Sequence, residues 1–130
     1  MSKENKSKTI LIVEDDGSML EALVEKFSSS KFDVLSARNG VEGLELALSK
    51  HPDIILLDII MPKMDGLSML RKLKEDRWGA FAPVVILTNL SDSQKLSEAL
   101  EIGVVEYIVK AEVKLSDIVF KVKRVLGMGA

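Results

Sequence analysis

The apolar positions of the chain follow two alternating rhythms. Ile54-Ile55-Leu56-Leu57 is an unbroken apolar run, the pattern of a strand buried on both faces; Asp58 follows it directly and Pro62 argues against the strand continuing. Ile10-Leu11-Ile12-Val13 and Val84-Val85-Ile86-Leu87 repeat the pattern, the first ending in Glu14-Asp15-Asp16 and the second in Thr88-Asn89. Phe32-Asp33-Val34-Leu35-Ser36-Ala37 mixes polar with apolar residues, as an edge strand does, and Val104 to Val109 predicts a fifth strand with Lys110 at its end.

Between these runs the period is helical. Leu20, Leu23, Val24 and Phe27 form the stripe of helix one, which closes in Ser28-Ser29-Ser30. Asn39 with Glu42 three residues on reads as the N-cap of helix two, with Val41, Leu44 and Leu48 as its apolar face up to Lys50. Asp65-Gly66 marks a turn before helix three, which is built on Leu67, Leu70 and Leu73 and runs to about Arg77; Trp78 to Pro83 is then a loop. Ser91 and Gln94 fit a capping box for helix four, whose face of Leu96, Ala99 and Leu100 is thin before Gly103 stops it. Helix five carries the longest stripe, from Leu115 through Ile118, Val119, Val122 and Val125 to Leu126, and ends at Gly127.

Five strands alternating with five helices, without an internal repeat, predict a single-domain α/β sandwich of three layers, doubly wound and flavodoxin-like. With the polar strand two at an edge, the parallel sheet takes the order 2-1-3-4-5, so the chain reverses between strands one and three. Glu14, Asp15 and Asp58 flank that crevice.

Composition narrows the picture further. The chain has 130 residues, a formal net charge of −2 and no cysteine, which fits one domain in a reducing compartment. Residues 1–8 read as a disordered polar lead, 9–126 as the domain and 127–130 as a tail. The lead has no signal-peptide core, and no apolar run approaches the roughly 18 residues of a membrane span. These features predict a soluble, cytoplasmic protein without membrane contact. Interspersed lysines and acids form no basic stripe, which argues against direct nucleic-acid binding.

The polar groups converge on one rim. Strand one ends in acids, strand three in Asp58, strand four in Thr88 and strand five in Lys110. Taken singly, each has an ordinary explanation: Asp15 or Asp16 can cap helix one, and Lys110 can be a solvated lysine. Taken together, three acids at one site call for a compensating cation, and a sparse all-oxygen set suits Mg²⁺. A lysine and a hydroxyl beside them suit phosphoryl oxygens, and a carboxylate can be the nucleophile that forms an acyl phosphate.

These residues carry a resemblance. Ile10 to Asp16, Pro52 to Asp58, Met61-Pro62 with Asp65-Gly66, Thr88 and Tyr107 to Lys110 together resemble the motifs of response-regulator receiver domains, of which the chemotaxis regulator is the type member (CheY-like); the likeness spans about residues 9–126. It implies a phosphoacceptor switch in a two-component phosphorelay. By resemblance Asp58 is the phosphorylated residue, and Asp15 and Asp58 are direct metal ligands. Glu14 joins them through water, and the backbone carbonyl of Ile60 supplies a further oxygen. Lys110 pairs with the phosphoryl group, Thr88 hydrogen-bonds it, and Tyr107 is the aromatic that moves with Thr88. The implied partners are a histidine kinase or histidine phosphotransfer protein upstream, and downstream a protein target or a second copy. Either downstream partner would dock on the face of helix four, strand five and helix five, with Lys95, Glu98, Glu106, Tyr107 and Lys121 as contacts. The family's role is that of a switch more than an enzyme.

Four positions depart from the family pattern. Ala111 follows Lys110 where proline is common, which predicts a trans bond and a rearranged loop; Asn89 replaces a small residue; Ile60 and Leu90 offer no polar side chain beside the site. The departures keep one alternative open, a pseudo-receiver that serves as a binding scaffold without phosphorylation. A haloacid-dehalogenase phosphatase would need a second aspartate where Ile60 stands, and a flavodoxin-type nucleotide site would need glycines where Glu14-Asp15-Asp16 is acidic. His51, the single histidine, lacks partners for a metal site and is expected to be a solvated loop residue.

Overall fold

The computed structural model describes residues 7–61, 63–89 and 93–128. Its elements in chain order are β1 (Thr9–Val13), α1 (Gly17–Ser29), β2 (Asp33–Ala37), α2 (Gly40–Lys50), β3 (Ile54–Asp58), α3 (Gly66–Glu75), β4 (Val84–Thr88), α4 (Ser93–Ile102), β5 (Glu106–Val109) and α5 (Leu115–Val125). Short 3₁₀ turns occupy Gly79–Phe81 and Lys110–Glu112. All strand pairs are parallel and the sheet order is β2-β1-β3-β4-β5. The expected doubly wound topology is therefore the observed one.

Alternation inside the fully buried strands builds two cores. Ile10, Ile12, Ile54, Leu56, Val85, Leu87 and Ile108 point to the layer of α1 and α5. Leu11, Val13, Ile55, Leu57, Val84 and Ile86 point to the layer of α2, α3 and α4. A strand sandwiched this way needs apolar residues at every position, which is why the three central runs are unbroken. The flanking strands β2 and β5 are only partly buried, as edges are.

Most helix predictions hold, with instructive exceptions. Asn39 caps α2 by accepting from the Glu42 N–H at 2.9 Å, while Glu42 accepts in turn from the Arg38 N–H at 3.0 Å. The predicted apolar face of α2 holds only at Leu44, which packs half-buried against the core: Val41 and Leu48 are exposed, and the buried residues are Gly40, Gly43 and Ala47. The helix lies too close to its neighbours for a large side chain to fit between them, so the small residues go inward and some large ones outward. Helix α3 stops at Glu75, and the stretch expected to be a plain loop contains a 3₁₀ turn opened by the Asp76 carboxylate, which accepts from the Gly79 N–H at 2.8 Å. On α4 only Leu96 and Ala99 are buried and Leu100 is exposed, so the face is thinner than predicted. The expectations for residues 1–6, Pro62, Leu90, the Ser91 cap and residues 129–130 lie outside the described residues.

His51 is exposed, as expected, but it is not a plain loop residue. It ends α2 in the left-handed conformation, with φ at 50°, and its ring stacks on Trp78 with centroids 4.2 Å apart.

Candidate functional site

Strand register brings the polar groups level. Val13 pairs with Leu57, so Glu14 follows β1 at the height of Asp58; Asp58 pairs with Leu87 and Thr88 with Val109, so Thr88 comes one step on and Lys110 one step beyond it. Apolar residues behind each group fix the strand ends in the sheet, so rigid elements carry the acids, the hydroxyl-bearing Thr88 and the lysine to one rim.

Asp15, exposed at the rim, offers a carboxylate oxygen that lies with one each from Glu14 and Asp58 within a mutual 4.8 Å. Glu14 is only 1% exposed, Asp58 6% and Thr88 3%. Asp16 does not join this cluster; it caps α1, accepting from the Met19 N–H at 3.2 Å, while its own N–H donates to Glu14 Oε2 at 3.1 Å. On the other wall, the Ile60 N–H donates to Asp58 Oδ1 at 3.3 Å and Asp65 caps α3 by accepting from the Ser68 N–H at 2.9 Å. The Gly66 N–H donates to the Ile59 carbonyl at 2.7 Å, and a Cβ on Gly66 would stand 2.3 Å from the Asp58 carbonyl oxygen. Only glycine lets α3 start this close to the nucleophile candidate.

Lys110 reaches into the cluster, with Nζ 2.7 Å from Glu14 Oε1 and 3.3 Å from Asp58 Oδ2. The Lys110–Ala111 bond is trans, as the alanine predicts, and the amine arrives at the site through the 3₁₀ turn that succeeds β5. The contact with Glu14 is a close ion pair that engages buried Oε1. Burial, then the negative charge of Glu14, pushes the Asp58 carboxyl up to about 7, against the pull of Lys110. For Lys110 burial works against the charged amine, but contact with Glu14 and the field of Asp58 outweigh it and hold the amine above its usual range.

Two buried acids and a third at the rim against one lysine leave an excess of negative charge in a poorly hydrated crevice. An all-oxygen donor set with excess negative charge is what a hard divalent cation requires, so these three acids could hold a metal ion. Ile60 has an exposed side chain, and Asn89 is exposed beside Thr88. Of the predicted docking contacts only Tyr107 is exposed, and the others are half-buried. Glu98 is turned toward α3 by a 2.8 Å ion pair with Arg71, and Lys95 approaches Asp65 at 4.0 Å. The large apolar residues exposed on and beside α4, β5 and α5 are Leu100, Val105, Tyr107 and Phe120. Sequence reading took this face to be mainly charged because charge usually marks exposure.

Gly40 and Gly43 had no place in the sequence reading. Their i, i+3 spacing, continued by Ala47, was the available signal, masked by larger apolar residues at neighbouring positions.

Comparison with known proteins agrees with this arrangement. Residues 10–123 match the family described as the response regulator receiver domain. A probable transcriptional regulator, ycf27, of Porphyridium aerugineum is 36% identical over 101 residues, covering 78% of this chain and 41% of that protein. The response regulator PleD of Caulobacter vibrioides is 36% identical over 104 residues, covering 80% of this chain and 23% of its own length. The chain thus spans less than half the length of these curated relatives. Among solved structures, a CheY-like receiver domain protein from Methanospirillum hungatei superposes with a TM-score of 0.86 at 27% identity, covering 94% of this chain and 95% of that one.

Proposed function

The chain belongs to the response regulator receiver family, and from that premise we propose that Asp58 accepts a phosphoryl group from a phosphohistidine on a histidine kinase or histidine phosphotransfer protein. The observation that supports this most is the placing of Asp58 at the end of a rigid buried strand, beside two acids and 3.3 Å from the Lys110 amine.

An Asp58 carboxylate oxygen attacks phosphorus. The O–P bond forms as the P–N bond breaks, and the electron pair stays on the departing imidazole, leaving an acyl phosphate. Glu14, Asp15 and Asp58, with the Ile60 carbonyl, would hold Mg²⁺, which when bound offsets the crowded negative charge and the charge on the incoming phosphoryl oxygens. Lys110 is positioned to neutralise a phosphoryl oxygen, releasing its ion pair with Glu14 as it does so. Thr88, buried at the end of β4, is the hydroxyl nearest in register to donate to another. The carboxyl must be ionised to attack, so the upward pull on its pKa makes a nearby positive charge part of the chemistry.

The output rests on the same geometry. Thr88 lies shortly before α4, and Tyr107 sits on the neighbouring β5, so drawing the Thr88 hydroxyl toward a phosphoryl group biases both elements. The exposed apolar residues of α4, β5 and α5 then form the surface for a downstream protein or a second copy. Among the described residues no helix is long and apolar enough to cross a membrane. We place the protein in the cytoplasm, where kinases of this kind present their phosphohistidine. Named relatives include transcriptional regulators. A longer protein acting on DNA is compatible with this reading, whereas the net charge of −2 argues that these 130 residues do not grip DNA themselves.

Intact mass spectrometry after acetyl phosphate and Mg²⁺ tests the reading. One phosphoryl adduct on the wild type and none on Asp58→Asn is expected. No adduct on the wild type, or an undiminished one on Asp58→Asn, would favour the scaffold alternative.

A further inference from the structure

Helix α2 meets the end of β1, just ahead of Glu14, and the loop after Asp58, and does so through glycine. The Gly40 N–H donates to the Met64 carbonyl oxygen at 3.0 Å. A Cβ on Gly40 would stand 2.3 Å from that oxygen and 2.9 Å from the Met64 carbonyl carbon and Cβ. One turn on, a Cβ on Gly43 would stand 2.9 Å from Val13 Cγ2 and 3.1 Å from Met69 Sδ. Val13 ends β1 immediately ahead of Glu14 and Asp15, while Met64 lies in the loop between Asp58 and α3. The helix backbone therefore rests against both walls of the site without a flexible side chain of its own between.

We propose that α2 is a spacer that sets the separation of the Glu14–Asp15 loop from the Asp58 loop, with Gly40 and Gly43 as positioning residues for the cation held there. The proposal rests on the cation-assisted reading above, in which an all-oxygen set of three acids faces a single lysine. Its physics is that of outer-shell support. A small hard cation tolerates little departure from its preferred geometry, and its ligands stand on two separate loops, so whatever fixes the gap between the loops tunes affinity. The two glycines differ in how much their surroundings can yield. At Gly40 the obstructing atoms are mostly backbone, which has to move as a loop. At Gly43 they are the ends of Val13 and Met69, which can rotate or shift.

The test is a Mg²⁺ titration followed by backbone amide shifts, with thermal unfolding recorded on each variant. Gly40→Ala should weaken Mg²⁺ binding by roughly tenfold or more, the lower end of outer-shell effects on metal affinity. Gly43→Ala should weaken it less, and adding Val13→Ala to Gly43→Ala should return most of the loss by giving the new methyl room. Val41→Ala on the exposed face should bind as the wild type does. So should Ala47→Gly, further along the buried face, even though it lowers helix stability, and this control separates positioning from general loosening. If Gly40→Ala does not fold, Gly43→Ala and its rescue carry the same comparison. Wild-type affinity in the folded glycine variants would overturn the spacer, and so would an equal loss in Ala47→Gly. A wild type without saturable Mg²⁺ binding would instead overturn the metal-site reading itself, and the spacer with it.

Discussion

Helices α2 and α4 flank α3 in the same layer, yet they are held in opposite ways. Helix α2 brings its backbone against β1 and the Asp58 loop, burying Gly40, Gly43 and Ala47, with a backbone hydrogen bond to Met64 at one end. Helix α4 buries Leu96 and Ala99 and otherwise leans on α3 through Arg71–Glu98 and the longer Lys95–Asp65 pair. Contacts between backbones leave little room for adjustment, whereas exposed ion pairs contribute on the order of 0–1 kcal/mol and exchange readily with water. The site thus has one wall that fixes its geometry and one that can move. A change at Asp58 should pass to the looser side, where Thr88, α4, and Tyr107 on β5 lie.

Removing the input should have the largest effect. With Asp58→Asn, beryllofluoride should leave the amide exchange of α2 and α4 unchanged, where in the wild type it should alter α4 and not α2. The next largest effect concerns the charge crowded between the two walls. The Asp58 carboxyl binds its proton more tightly folded, at about 7, than unfolded, at 3.8. Its contribution to stability is therefore complete below pH 4 and is lost as pH rises through 7, a change of order a few kcal/mol in metal-free protein. Chemical denaturation between pH 4 and 8 should show that decline, and Asp58→Asn should flatten it.

Smaller effects resolve the two flanks. Leu96→Ala should cost about 2–3 kcal/mol, since it removes one of the two buried anchors of α4, and hydrogen exchange should show α4 opening more readily while α2 is unaffected. Arg71→Ala should cost less than about 1 kcal/mol by thermal unfolding, as expected of an exposed pair, and should speed exchange only in α4. Equal protection of the two helices in the wild type would remove the comparison at its base.

Features governed by burial and by strand ends were legible in the sequence. Unbroken apolar runs bounded by polar residues match sandwiched strands, the mixed run Phe32–Ala37 matches an edge, and the parallel order carries Glu14, Asp58, Thr88 and Lys110 to one rim. Harder to see were features set by distance between elements. The inward face of α2 was misread because Val41 and Leu48 are more hydrophobic than Gly40 and Gly43, yet space and not hydropathy decides which side packs against β1. Lys95 and Glu98 were expected on the docking face, but pairing with Asp65 at the cap of α3 and with Arg71 on it turns them the other way, and no local pattern on α4 reveals that. Ala111 was correctly read as giving a trans bond after Lys110; that the amine would still enter the acid cluster depends on the 3₁₀ turn, which a single strand-end lysine does not announce.

The central claim is that phosphorylation of Asp58 is transmitted through the loosely held wall. Amide-shift mapping with and without beryllofluoride, in the presence of Mg²⁺, addresses it directly. The account predicts changes around Asp58 that extend through residues 93–107 and into the exposed face of α5, with the amides of α2 beyond its first turn unmoved. Changes confined to the loops around Asp58, or larger in α2 than in α4, would contradict it.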